Sequence, residues 1–405
     1  MAHSTYSLPE IEKQRLEFPG LANKVYFNFG GQGPLPRCAI EAIIDAHNYL
    51  QLQGPFSGKV NAWIQNKTEQ LRETLALELG TTAQSIVLTE NVTDGCNIVL
   101  WGLDWQKGDH ILLTDCEHQG IIAIVKEIAR RFGVEFSICP IKDTLNTGDP
   151  LAVIAQHLRP NTRLVVLSHL LWNTGQLLPL ADIVELCHHH SPSRQRVPIL
   201  VDAAQSVGCI PLNLSQLQAD FYAFTGHKWL CGPAGVGGLY IDPQMFEMLR
   251  PTFIGWRGIE QDETGQPIAW KNDARRFEVA TSAYPQYEGL RAAIPIHRQW
   301  GSAEGRYQRM VELSAYLWEQ LSELDGVECL KNSPPQAGLV SFQVKGPLSS
   351  QQLVQALEKR GFLLRTLLNP DCVRACVHYF TLKAEIEQLV EAIKILLLNA
   401  NENEG

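Results

Sequence analysis

In Phe224-Thr225-Gly226-His227-Lys228-Trp229, a lysine stands between Gly-His and an apolar Trp-Leu pair, a poor setting for a solvated surface amine. Burial disfavours the ammonium form and leaves a nucleophile able to condense with an aldehyde. Upstream, Asp202 ends the apolar run Pro198-Ile199-Leu200-Val201, and Gln205 follows three residues later. Open α/β sheets build their sites at the carboxyl ends of strands, and a carboxylate there can hold a proton on a heteroaromatic nitrogen. Each residue alone has a plainer reading: a loop lysine at a domain edge, a strand-end turn or helix cap, a polar helix residue.

Taken together and in this order, the two segments read as a pyridoxal phosphate (PLP) site. Lys228 forms the Schiff base, Asp202 pairs with the pyridine nitrogen, and the pair makes the ring an electron sink. Gln205 is near enough to bond the phenolic oxygen. Asn91-Val92-Thr93-Asp94-Gly95-Cys96-Asn97 follows a strand and opens a helix. Free backbone N–H groups and the helix dipole there suit a phosphate, with the Thr93 hydroxyl as a further donor, although an ordinary helix cap reads the same. His118, in Asp115-Cys116-Glu117-His118, can lie flat on a pyridine ring. No second cluster at metal-ligand spacing accompanies it, so no metal is expected. His188-His189-His190 reads as the solvated end of a helix before Pro192. Arg374 lies inside the apolar run Val373-Arg374-Ala375-Cys376-Val377 and needs a partner, either a substrate carboxylate or a structural Asp or Glu.

These residues need strands and helices to hold them. Apolar runs predict strands at 86–89, 110–114, 134–138, 164–168, 199–202, 221–224 and 236–241. Helical patterns at 63–79, 119–132 and 182–189 alternate with them, as in a helix-covered, largely parallel sheet. After about residue 275 come a helix at 307–324, a strand at 339–344, a helix at 350–359, strands at 362–365 and 373–377, and a helix at 384–398. This is a second, smaller α/β layer. The expected division is an N-terminal segment 1–20 packing on the small domain, a large PLP-binding domain 21–275 and a small domain 276–405.

The chain has 405 residues, 45% of them hydrophobic, which favours two domains. Its 34 basic and 43 acidic residues give a net charge of −9 without a basic stripe, which argues against nucleic acid. Residues 1–17 are polar, contain Pro9 and have no apolar stretch of the secretory kind, and no apolar run is long enough for a membrane span. Ten scattered cysteines with no Cys-x-x-Cys pair suggest reduced thiols in a cytoplasmic protein.

From Val25-Tyr26-Phe27-Asn28 to the last helix, the chain resembles the class V aminotransferase family of PLP enzymes. It is most similar to the carbon–sulfur-cleaving branch, which holds cysteine desulfurases, selenocysteine lyases and cystine C–S lyases. The resemblance implies fold type I, a seven-stranded mostly parallel sheet with a small C-terminal α/β domain, and a homodimer with its sites at the interface. It implies Lys228, Asp202, His118 and Gln205 in the roles above, and Thr93, the Asp94 backbone, Thr225 and His227 around the phosphate. Thr281, in Phe277-Glu278-Val279-Ala280-Thr281, would reach the phosphate of the other subunit. Asn173, in Trp172-Asn173-Thr174-Gly175, would sit near cofactor and substrate, and Arg374 would bind the substrate carboxylate.

One element departs from the desulfurase pattern. Those enzymes carry a mobile Arg-Thr-Gly-His-His-Cys loop, whereas this chain reads Arg365-Thr366-Leu367-Leu368-Asn369-Pro370-Asp371-Cys372-Val373-Arg374. Cys372, two residues from Arg374, is expected at a strand start, and a persulfide on the enzyme is then hard to form. The expected reaction is β-elimination of cystine, and less well cysteine, to pyruvate, ammonia and cysteine persulfide or sulfide, with an iron–sulfur protein as sulfur acceptor. The alternatives are a desulfurase or selenocysteine lyase making alanine through Cys372, an epimerase, and a non-catalytic PLP-fold binding protein. Trp256, Arg257 and Gln32 are further candidates for the substrate side.

Overall fold

The computed structural model describes residues 8–189 and 196–402. His190 and Pro192 lie outside the described residues, as do residues 1–7. A short β1 (Val25–Tyr26) precedes the strands of the large sheet. These are β2 (Ile86–Thr89), β3 (His110–Thr114), β4 (Glu135–Cys139), β5 (Thr162–Ser168), β6 (Ile199–Asp202), β7 (Phe221–Thr225) and β8 (Gly237–Ile241). They lie in the order β2-β8-β7-β6-β5-β3-β4. Only β8 runs antiparallel to its neighbours. The sheet is therefore seven-stranded and mostly parallel, as expected.

Period-two alternation sends successive side chains to opposite faces. Leu112, Val165, Leu167 and Val201 pack into one helical layer, while Ile111, Leu113, Val166 and Leu200 pack into the other. Burial on both faces explains why these strands read as continuous apolar runs. Their carboxyl ends share one edge of the sheet, where Thr89, Thr114, Ser168, Asp202 and Thr225 lie.

Beyond the large sheet come the hairpin β9 (Ile259–Gln261) and β10 (Pro267–Trp270), then β11 (Val327–Cys329) and β12 (Leu339–Val344). Next are β13 (Phe362–Leu363), β14 (Arg365–Leu368) and β15 (Asp371–Cys376). The order β11-β12-β15-β14 makes a four-stranded antiparallel sheet, covered by the helices Ala303–Ser322, Ser350–Glu358 and Lys383–Glu402.

Two expectations need correction. The run 362–365 is not one strand: Phe362–Leu363 pairs with Val25–Tyr26, and a new strand beginning at Arg365 pairs with 371–374. The helix Tyr284–Trp300 lies beyond the boundary drawn at 275, yet Tyr284, Tyr287, Leu290 and Ile294 fill the large-sheet core. Its buried Glu288 and His297 and an internal Pro295 interrupt the helical pattern in sequence. In the N-terminal segment, Arg15 pairs with Glu385 at 2.6 Å and donates to the Phe380 carbonyl, while Gln14 donates to the Ile296 carbonyl.

Candidate active site

Lys228 follows β7 and opens onto a cavity of about 480 Å³. Gly30, Gly31, Asn91, Thr93, His118, Ser168, Trp172, Asp202, Gln205, Thr225, His227, Arg365 and Arg374 line its wall. Crowding by protein pulls the Lys228 amine down to about 8; Asp202 opposes this, and the nearby Arg374 and Arg365 reinforce it. Burial pushes the Asp202 carboxyl up, while the Ala204 N–H donating to Oδ1 at 2.9 Å, Lys228 and His118 favour its charged form.

The phosphate side is built at the end of β2. Asn91 caps the helix Val92–Gly102, its Oδ1 accepting from Asp94 N at 3.0 Å. That cap engages the Asp94 N–H expected to serve the phosphate, and Asp94 lies with Thr93 on another cavity and not on that of Lys228. Thr93, Thr225 and His227 do reach the cavity. Thr225 Oγ1 and His227 Nδ1 lie 2.6 Å apart, and burial takes the His227 imidazole down to about 4, so it is neutral. Gln205 is anchored from behind: Nε2 donates to the Gly30 carbonyl at 2.9 Å and Oε1 accepts from Trp229 Nε1 at 3.0 Å. Its second amide hydrogen remains for the cavity.

His118 caps the helix Gln119–Phe132, and its ring meets Trp172 edge-on with centroids 5.7 Å apart. Trp172 takes the place expected of Asn173. The Asn173 amide donates to the Asn369 carbonyl at 3.2 Å and its Oδ1 accepts from Thr174 N, so it ties the large domain to the β14–β15 turn outside the cavity.

Arg374 is fully buried on β15, and its Nη1 donates to the Trp172 carbonyl at 2.8 Å. Its Nε has no partner, and among the described residues no carboxylate pairs with it, which removes the structural salt bridge as an explanation. A Cβ on Gly30 would come within 2.9 Å of the guanidinium carbon, and one on Gly33 within 2.3 Å of the Lys228 carbonyl. Only glycine lets this segment pack so close to both residues.

Thr281 is exposed and lies in two other cavities, not that of Lys228. Trp256 and Arg257 line the second of these beside Thr281 and Arg72, and Gln32 is likewise outside the Lys228 cavity. All ten cysteines are free, nine of them buried and Cys38 half-buried. Cys372 is sealed within β15, where burial raises its thiol to about 12. No group of three or more metal-ligating side chains exists among the described residues.

Sequence reading overlooked Arg365, which joins Arg374 in the cavity as its cross-strand partner. It also overlooked Glu117 and Ser168. The one available signal was Glu117 preceding His118 at the end of a strand.

PLP needs an amine for its aldehyde, an acid for its nitrogen, an anion cradle and a stacking ring. The buried lysine, Asp202, the helix start at Val92 and His118 meet these needs around one cavity, with an unpaired guanidinium left over. Sheet and site together define a PLP-dependent enzyme of fold type I. The class V aminotransferase model matches residues 25–405, and the chain belongs to that family.

Among solved structures, the chain is similar to the cystine C–S lyase C-DES in complex with its reaction product cysteine persulfide. Identity is 55% over 93% of this chain and 99% of that one, with a TM-score of 0.92. A lysine-to-alanine variant of C-DES, 54% identical, holds glycine covalently linked to its PLP cofactor. The isopenicillin N epimerase of Streptomyces clavuligerus is 28% identical, covering 92% of this chain and 94% of the epimerase. The cysteine desulfurase of Haloferax volcanii is 25% identical, covering 91% of this chain and 88% of the desulfurase.

Proposed function

We propose that this enzyme cleaves the Cβ–S bond of L-cystine, and less well of L-cysteine, by β-elimination. The products are pyruvate, ammonia and cysteine persulfide or sulfide. One observation carries the reading: an amine and an unpaired guanidinium share a cavity from which every thiol is withheld. Desulfuration to alanine needs a thiolate to accept sulfur, and Cys372 is buried and held in its thiol form. The similarity to C-DES supports the same choice.

When bound, PLP supplies the electron sink for charge formed at the amino acid α-carbon. Lys228 would hold its aldehyde carbon, and the free Nζ would be the base for the α-proton, a task suited to an amine near 8. Asp202 holds the proton on the pyridine nitrogen. His118 would lie against the ring, and the free N–H of Gln205 would serve the phenolic oxygen. Thr93, Thr225, His227 and the first amides of the helix at Val92 hold the phosphate. Arg374 takes the α-carboxylate of the substrate. Cystine suits such a site because its leaving group, a persulfide anion, is a weaker base than an alkyl thiolate.

We further propose a homodimer in which Thr281 reaches the phosphate side of the other subunit. Phe253, Ile254 and Trp256, exposed near Thr281, support a covered surface there. An iron–sulfur protein is the proposed sulfur acceptor, and the cytoplasm the proposed compartment, on the strength of ten free thiols. The test is to incubate the PLP-loaded protein with cystine and, separately, with cysteine, and to identify the three-carbon product. Pyruvate with ammonia supports elimination; alanine means desulfuration, and racemised substrate means an epimerase.

A further inference from the structure

Between the strand that leads to His118 and the strand that ends at Asp202 lies a second buried carboxyl. Glu117 is 4% exposed and pairs with no cation among the described residues. Its Oε1 accepts from Thr114 Oγ1 at 2.6 Å and from Ser168 N at 2.9 Å, and its Oε2 lies 2.9 Å from Ser168 Oγ. Ser168 ends β5, between β3 and β6 in the sheet, and is register partner to Asp202. Both Ser168 and Asp202 line the cavity, whereas Glu117 does not.

Two neighbouring carboxyls without a cation apiece cannot both hold charge at little cost. The groups facing Glu117 give it no help: Asp202 on β6, and the thiols of Cys96, Cys116 and Cys139, all pushed upward themselves. Asp202, by contrast, has Lys228 and His118 for company. Desolvation takes Glu117 up to about 8, against the pull of Thr114 and Ser168.

We propose that Glu117 is a positioning residue that works as a neutral acid. Its proton lies on Oε2 and is donated to Ser168 Oγ. The Ser168 hydroxyl hydrogen is thereby released from Glu117 and directed toward the cavity it shares with Asp202. Asp202 is then the one carboxylate of the site that carries charge, and Ser168 is a donor held in a set direction. This rests on the cofactor-site reading but not on the choice of substrate.

The test uses the cofactor-loaded protein with Glu117→Gln, Glu117→Leu and Ser168→Ala. Gln keeps the pattern of the neutral acid, since its amide donates to Ser168 Oγ while its oxygen accepts from Thr114 and Ser168 N. Infrared difference spectra of wild type against E117Q should show a protonated carboxyl stretch at pH 7, fading as pH rises past about 8. Unfolding free energy gives an independent readout. The folded state binds the extra proton between the ordinary glutamate value and about 8, so wild-type stability falls as pH rises through that window, and E117Q removes this slope. Cofactor dissociation constants should stay within about threefold in E117Q and rise about tenfold in E117L and S168A, the worth of one lost hydrogen bond. An ionised Glu117 at pH 7, or E117Q weakening cofactor binding as much as E117L, overturns the proposal. A wild type with no cofactor absorption sinks the site reading instead, and the carboxyl stretch still decides the state of Glu117.

Discussion

Two buried arginines in this molecule have opposite surroundings. Arg72 reaches both oxygens of Glu278 at 2.6 Å, and Glu278 also accepts from Leu88 N at 3.1 Å on the edge strand. Arg257 completes that cluster at 3.5 Å from Glu278. Arg374 is buried as deeply but has no carboxylate partner: Nη1 donates to the Trp172 carbonyl, and the Cys376 thiol lies beside the guanidinium. The first cluster is charge-paired, although Arg72 Nε, like Arg374 Nε, has no hydrogen-bond partner, and it holds the helix Gly58–Leu79 to the sheet and to the segment that carries Thr281. The second is open, and an unsatisfied buried guanidinium persists where an incoming anion completes it. Burial alone does not separate scaffold from site; the fate of each charge does.

Substitutions sharpen this contrast. The largest effect is expected at the open site: Lys228→Ala should cut pyruvate formation from cystine by about a thousandfold or more and abolish the cofactor's lysine-bound absorption. Near-normal turnover would end the assignment. Arg374→Met should raise KM for cystine about a hundredfold while leaving the urea midpoint unchanged or higher, because it removes a charge without stranding another. Glu278→Gln should do the reverse, costing up to about 3–5 kcal/mol of stability by leaving Arg72 with only the half-exposed Glu69, with KM little altered while the protein stays folded. If R374M unfolds as readily as E278Q, the contrast collapses.

Acid should act next. His169 and His227 are held near 4 and His297 near 3 by burial, so the folded state binds fewer protons than the unfolded chain below the ordinary histidine value. Stability should therefore fall as pH drops from about 6.5 toward 4. His297 Nε2 donates to the Leu230 carbonyl, and its Nδ1 lies 2.9 Å from the Tyr379 hydroxyl. Denaturation midpoints at pH 7 and 4.5 should differ less in His297→Gln than in wild type. The smallest effect is expected for Cys372→Ser, which should leave cystine cleavage within about twofold. Loss of sulfur release in that variant would restore the desulfurase reading.

The central strands were legible because each is buried on both faces and bounded by turn residues, and Lys228 and Asp202 were legible because they end such runs. What failed to show has physical causes. The helix Tyr284–Trp300 hides its period behind buried Glu288, His297 and Pro295. Trp172 and Asn173 are neighbours in a turn, where a one-residue step decides which side chain enters the cavity. Arg365 and Arg374 meet only through a strand register that sequence does not disclose. Glu117 gave no sign of its role, because its partners Thr114 and Ser168 come from two strands.

The absence of a cysteine from the wall of the Lys228 cavity has a consequence for traffic outside the molecule. Under the proposed elimination, a site without a thiol would not capture sulfane sulfur and hand it on by docking. The product would depart as a small diffusible carrier, open to any thiol it meets. Discrimination among recipients would then reside in those recipients, and the enzyme would set only when and how fast sulfur is released.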